Sequence, residues 1–407
     1  MSSVLTDLRD RTARPALLQE RFENDLTALA AALESALAAK DLSTFYRTFR
    51  ATRLPFICGE YRDNARLLLP ACFDILHRLG GISPAAALAV ENHYYVTSAV
   101  ATFPAATDPP LEASRQRLLH AVVSQRLLVA NTNSKVHAAK LGELGTVARP
   151  EANGFRINGT AAYTSLATQA DLLVLLTEIE GEGFAVFVIP ELQSNPAVEI
   201  GPYLFPSAMI DSDTRCITFH DLLLPSEALA ADSRSAIARQ LIPFEMAWHQ
   251  LLIAALYLGA AARAIDEARL FLRGTTGRDG RPLAELDGMI VDIGRLALAY
   301  RSARGAAEKC GEALFLVREL PRDMAQLERA VNLASAAKYH GTQTAEAIVT
   351  AARRTVGARA FAGSCALERL SQEVMFGALG PEVGAVIERR YGRQILESAS
   401  YPHEFLS

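Results

Sequence analysis

Few side chains in this sequence can move a proton near neutral pH, and their neighbours narrow the choice. His249, in "EMAWHQ", is an imidazole inside a long apolar stretch, able to act as acid or base without a large pKa shift. Glu245 stands four residues earlier, one helical turn away, within reach to orient the ring or hold it protonated. Trp248 and Tyr257 offer aromatic walls on the same stretch. A core histidine satisfied by a backbone carbonyl is the competing reading. His93, in "ENHYYVTS", is a second candidate, for the rim of a substrate pocket, against a helix that simply packs its tyrosines. Glu382, in "GALGPEVG", follows a proline, where a carboxylate suits the first turn of a helix.

These groups need a frame, and the texture of the chain changes twice. From residue 15 to about 124 apolar residues recur at three- and four-residue spacing, as in "LTALAAALESALAAK" and "ASRQRLLHAVV", which predicts amphipathic helices. In "GISPAAALAVENHYYVTSAVATF" Ser83 is the expected N-cap and Pro84 the first helical residue. Next come "GFRINGTAAYTS", "DLLVLLTEI", "FAVFVIP" and "TRCITFHDLLLP", short β-branched or aromatic runs that predict a compact antiparallel barrel or sandwich. "EIEGEGFAV" reads as a hairpin turn. From about residue 235 the helical period returns and stays. The predicted class is mostly α with a β domain: a helical domain over 1–124, a β-barrel domain over 125–232 and a helical bundle over 233–407.

Composition excludes more than it identifies. Half of the 407 residues are apolar, and the net charge of −4 gives no electrostatic reason to bind nucleic acid or an anionic membrane. The apolar run "LLIAALYLGAAA" falls short of the roughly 20 residues that cross a bilayer. "MSSVLTDLRDRTARP" has no apolar signal region. The five cysteines, never in CxxC spacing, read as reduced thiols of a cytoplasmic protein.

The order of segments and several local patterns resemble the acyl-CoA dehydrogenase superfamily, over nearly the whole chain. "GFRINGTAAYTSLATQAD" is similar to the family's "NG-x-K-x-(W/F)-I-(T/S)-N-x-x-x-A" strand pair, and "TRCITFHDLLLPSEAL" to its "v-x-F-x-d-v-x-V-P" strand. "VGARAFAGSCALERLSQEV" is similar to its "F-G-G-x-G-(F/Y)-x-x-x-x-x-(E/L)-(R/K)-x-x-R-D" segment. The resemblance implies an FAD-dependent oxidoreductase acting on an acyl thioester, with a monooxygenase or oxidase as the alternative and a non-catalytic relative as a third reading. It implies a homodimer or homotetramer, an assembly that alanine-rich helices suit.

Residue by residue, the resemblance assigns Tyr163, Thr164 and Ser165 to the flavin, with hydroxyl donors stabilising its reduced form. It assigns Gly357 and Ala358 to a close backbone approach to the cofactor, and Arg273 or Arg278 to its pyrophosphate. The loop usually written "T-E-P-x-x-G-S-D" should fall near "ANTNSKVHAAKLGELGT". That stretch lacks the paired glycines and leaves Thr132 and Ser134 as hydrogen-bonding candidates. The usual base, a Glu about eight residues after an "RD" pair, is also missing. "QE" stands for "RD", and the base position falls at Pro381, one residue before Glu382. Some relatives carry the base on the helix that opens the bundle, where His249 aligns.

Overall fold

The computed structural model describes residues 16–132, 143–361, 365–380 and 382–397, with side chains from residue 22. Ser134, Asn133 and Pro381 lie outside the described residues.

The N-terminal part is helical: α1 (Ala16–Ala39), α2 (Ser43–Ala51), the single turn α3 (Ile57–Glu60), α4 (Ala65–Gly80), α5 (Pro84–Thr102) and α6 (Pro109–Ser124). Short polar side chains start the last three. Asn64 accepts from Leu67 N, Ser83 from Ala86 N and Asp108 from Leu111 N, each satisfying a first-turn donor that the helix leaves open. Every residue of α5 from Pro84 to Ala99 is buried. A helix enclosed on all sides has no solvent face, so Glu91, Asn92 and His93 must find partners inside.

The middle part is an eight-stranded sheet: β1 (Val129–Thr132), β2 (Thr146–Glu151), β3 (Gly154–Thr164), β4 (Leu172–Ile179), β5 (Gly183–Ile189), β6 (Val198–Tyr203), β7 (Arg215–Pro225) and β8 (Leu229–Asp232). The order is β6-β7-β3-β2-β4-β5-β8, with β1 added on β4. The β4–β5 hairpin forms as expected, its turn using positive φ at Gly181 and Gly183. The sheet is mixed, however, and not wholly antiparallel. Both β1 and β2 run parallel to β4, because neither is joined to it by a tight turn that would force reversal.

The C-terminal part comprises α7 (Ala238–Gly274), α8 (Asp287–Leu316), α9 (Met324–Val356), α10 (Ala366–Glu373) and α11 (Gly384–Glu397). By length and composition α7 could cross a membrane. Its apolar surface is covered by α4, α5, α8 and α9, so one helix serves as the spine of the helical core. Two glycines allow this. A Cβ on Gly80 would overlap the carbonyl of Leu256, and one on Gly259 would overlap that of His77, so the backbones of α4 and α7 touch where they cross. The sheet docks on the helices through β1 against α5, β8 against α6 and a short turn, Ile210–Ser212, against α5.

Candidate functional site

His249 projects from α7 toward α5. Its Nδ1 lies 3.0 Å from Glu91 Oε1, and its ring centroid is 4.8 Å from that of Tyr95. The His249 side chain is 14% exposed and that of Glu91 0%. Burial raises the Glu91 pKa, while the neighbouring imidazole pulls it back. The second oxygen, Glu91 Oε2, is buried with no partner among the described residues. With Nδ1 turned to a carboxyl, Nε2 remains for a ligand, and the pair can fix the tautomer and stabilise an imidazolium.

The orienting group is therefore Glu91, from the facing helix, and not Glu245 as the four-residue spacing predicts. Glu245 turns to the sheet: its Oε1 accepts from Asn131 Nδ2 at 3.1 Å, and Asn131 N donates to Asn92 Oδ1 at 2.6 Å. Burial pushes the Glu245 carboxyl up to about 7, with His249 opposing. Glu245 also closes an apolar cavity of about 40 Å³ lined by Val96, Phe103, Leu118, Val186 and Leu241. The arrangement thus places a poised acid at the polar end of an apolar recess.

Three further expectations are corrected. His93 is fully buried, with Nε2 at 2.7 Å from Pro55 O and Nδ1 accepting from Val129 N at 3.0 Å. Burial lowers its pKa to about 4, so it is a neutral core imidazole tying β1 to α5, not a pocket rim. Trp248 is fully buried in the helical core; neighbours on a helix diverge by about 100°, and the wall beside His249 is Tyr95. Glu382 is a strut, not a free base. Its carboxylate meets Arg390 Nη2 at 3.0 Å and Gln250 Nε2 at 3.2 Å, while Lys338 Nζ donates to the Glu382 and Gly380 carbonyls at 2.7 and 3.0 Å. Burial lowers the Lys338 pKa to about 8, with Glu382 opposing.

Sequence reasoning passed over Glu373 as well as Glu91. Glu373 Oε2 accepts from Ser83 Oγ at 2.9 Å and Ala85 N at 2.8 Å, joining α10 to the start of α5. Burial pushes this carboxyl up to about 8 against both donors. The only signal was its place in the "QE" that replaces "RD".

On the sheet side, β1 links the two halves of the site. Asn131 reaches Glu245, and Thr132 Oγ1 donates to Ala162 O at 2.8 Å, which commits the Thr132 proton to the backbone. Tyr163 has φ +62° and is 44% exposed. It stacks on Phe205 at 6.1 Å, and Phe205 meets Phe376 edge-on at 4.7 Å, so an aromatic run joins the end of β3 to the turn after α10. Thr164 Oγ1 is buried without a partner among the described residues. Ser165 Oγ lies 2.9 Å from Thr214 Oγ1.

The other cofactor candidates lie on the surface. Arg273, Arg278 and Ala358 are exposed. Gly357 ends α9 at φ +69°, and an added Cβ there meets nothing within 4 Å, so the backbone angle demands glycine, not a close approach within this chain. Arg359 donates to Thr275 Oγ1 at 3.3 Å and covers Phe271, which brings the turn after α9 beside the loop carrying the two arginines.

Comparison with known proteins agrees with this architecture. Residues 242–380 match the family model described as the acyl-CoA dehydrogenase C-terminal domain. Human mitochondrial short-chain specific acyl-CoA dehydrogenase is 25% identical over 167 residues, 40% of this chain and 39% of the relative. The match thus spans about two fifths of the length of that curated relative. FMN-bound TdsC from Paenibacillus sp. A11-2 superposes with a TM-score of 0.78 at 18% identity, over 94% of this chain and 98% of that one. Butyryl-CoA dehydrogenase from Megasphaera elsdenii gives 0.75 at 14% identity, over 93% and 98%. The bundle thus matches the acyl-CoA dehydrogenase C-terminal family model over residues 242–380, and the chain as a whole shares the helix–sheet–helix fold of these solved structures.

Proposed function

We propose that this protein is a flavin-dependent oxidoreductase in which His249, held by Glu91, moves the proton that a glutamate moves in typical superfamily members. Its substrate on this reading is an acyl thioester, on CoA or a carrier protein, or a related carbonyl compound. The observation that carries the reading is the 3.0 Å contact between His249 Nδ1 and Glu91, which leaves Nε2 as the working nitrogen.

The residues fit a flavin in three respects. Thr164 presents a buried hydroxyl with no partner among the described residues, Ser165 lies at the end of the hydrogen-bonded hydroxyls, and Tyr163 offers an exposed aromatic face. Bound there, the flavin supplies the hydride acceptor. The chain's own residues do the rest: Tyr163 and Ser165 would hold the ring, and His249 Nε2 takes a substrate proton as Glu91 steadies the resulting cation. Asn131 keeps Glu245 in place, and the apolar recess receives the substrate's hydrocarbon end. FAD is the cofactor proposed, since Arg273 and Arg278 are exposed and suited to a pyrophosphate.

A second reading, a monooxygenase or oxidase on the same fold, draws support from the engagement of Glu382 with Arg390. TdsC, the structural neighbour above, is described as a dibenzothiophene monooxygenase. Mixing the flavin-loaded protein with a panel of acyl thioesters without oxygen separates the two. Bleaching of the flavin supports the first reading. Bleaching only by an external reductase, with an oxygenated product in air, supports the second. Protein that takes up no flavin would sink both.

We further propose a homodimer or homotetramer. Ile290, Val291 and Leu298 on α8 and Leu270 on α7 are each at least half exposed, an apolar surface that a second copy would cover. Sedimentation as a monomer at micromolar concentration would refute it.

A further inference from the structure

The loop between β6 and β7 meets the end of β3 through three hydroxyls. Ser165, Ser212 and Thr214 are 5%, 0% and 3% exposed, so none exchanges its partners freely with solvent. Ser165 Oγ lies 2.9 Å from Thr214 Oγ1, Thr214 Oγ1 lies 2.6 Å from Ser212 Oγ, and Ser212 Oγ donates to Met209 O at 2.6 Å.

Each hydroxyl carries one proton, and that fixes the polarity of the run. The Met209 carbonyl can only accept, so it consumes the Ser212 proton. The Ser212–Thr214 contact must then use the Thr214 proton, and the Ser165–Thr214 contact the Ser165 proton. Any other assignment leaves two oxygens at 2.6 or 2.9 Å with no hydrogen between them, which is repulsive. Ser165 therefore has no proton left to give. Toward a ligand it offers lone pairs only. This corrects the expectation that Ser165 donates a hydrogen bond to the flavin.

From this polarity we infer that the site is built to take the reduced flavin in preference to the oxidised one. The inference rests on the proposed placement of the flavin beside Ser165. A reduced isoalloxazine carries N5–H, a donor that matches an acceptor-only oxygen. An oxidised ring presents N5 as a lone pair, and two facing acceptors leave both unsatisfied. Ser165 is thus a residue that selects the redox state, and Thr214 and Ser212 act through it as positioning residues.

The test is binding of FAD and FMN, each oxidised or reduced without oxygen, to the full-length protein. Reduced flavin should bind about tenfold more tightly, the value of one hydrogen bond made in a single state. The potential of the bound flavin should then rise by about 30 mV for that tenfold ratio. Ser212→Ala is the sharpest variant, since it lies outside the proposed contact. It frees the Thr214 proton to turn to Ser165 and the Ser165 proton to turn to the ligand, so the preference should vanish or reverse. Thr214→Val should act in the same direction, and Ser165→Ala should bring the two affinities together. Equal affinities in the unsubstituted protein, tighter binding of oxidised flavin, or a ratio untouched in both Ser212→Ala and Thr214→Val would overturn the inference while leaving the oxidoreductase reading intact. Failure of either redox form to bind would overturn both.

Discussion

Glu91 and Glu382 contact consecutive residues of α7, His249 and Gln250, yet the chain treats them in opposite ways. Glu382 is supplied with donors from α7 and α11, and its backbone is gripped by Lys338 of α9. Among the described residues the Glu91 carboxyl has one hydrogen-bonding partner, an imidazole, and an oxygen left bare in the interior. A carboxylate engaged by a guanidinium and an amide serves as architecture. One starved of donors and desolvated has its protonated form favoured by burial, with the imidazole opposing. Local supply of hydrogen bonds, rather than residue type, separates the carboxyl proposed for proton chemistry from the one that braces the bundle.

The comparison breaks most decisively at turnover. His249→Ala and Glu91→Gln should each reduce kcat on the order of 10²–10⁴-fold, the usual worth of a general acid–base group, with flavin still bound. Glu382→Gln should leave kcat within a few-fold. If Glu382→Gln is the variant that abolishes turnover, the roles assigned to the two carboxylates are reversed.

Stability should sort the same residues the other way. Glu382→Gln strips Arg390 of its counter-ion and should cost about 1–3 kcal/mol, read from urea unfolding. Glu91→Gln should cost less, because it replaces a buried carboxyl whose ionised form burial disfavours. A larger loss at position 91 than at 382 would contradict that.

The pH dependence of folding refines the picture. Glu373 is raised from its ordinary 4.5 to about 8 and Glu245 from 4.5 to about 7, both by burial. The folded form binds their protons more tightly than the unfolded chain does. Their contribution is therefore complete below about pH 4.5 and is lost as the pH rises toward 7 for Glu245 and 8 for Glu373. Glu373→Gln should flatten this alkaline fall; an unchanged slope would mean that the carboxyl titrates normally. The smallest effect belongs to Arg273→Ala and Arg278→Ala. Exposed as they are, they should shift unfolding by no more than about 0.5 kcal/mol, so any loss of FAD affinity there reports the cofactor and not the fold.

The order of helices, sheet and helices was legible because periodicity changes where the architecture changes. So was the cap at Ser83, a local pattern with a local cause. His249 was legible as an imidazole in an apolar helix, but its partner was not. Helix α5 is buried on every face, so no amphipathic stripe says which of Glu91, Asn92, His93 and Tyr95 meets α7, and the histidine drew attention that belonged to the glutamate two residues before it. Glu245 misled for a related reason. Spacing on one helix gives proximity, but the facing helix and β1 decide where each side chain finds a partner. The hydroxyl contacts of Ser165 were not legible either, because they are made to Thr214 and through it to Ser212, nearly fifty residues away.

The backbone contact between α4 and α7 reaches further than its own neighbourhood. Gly259 lies ten residues beyond His249 on an unbroken helix, about 15 Å along its axis. Any bulk added at that crossing has a rigid rod to push, and the far arm of the rod carries the imidazole. A lone methyl at Gly259 would act as a wedge under a lever, retuning the gap between two proton-sharing groups that it never touches.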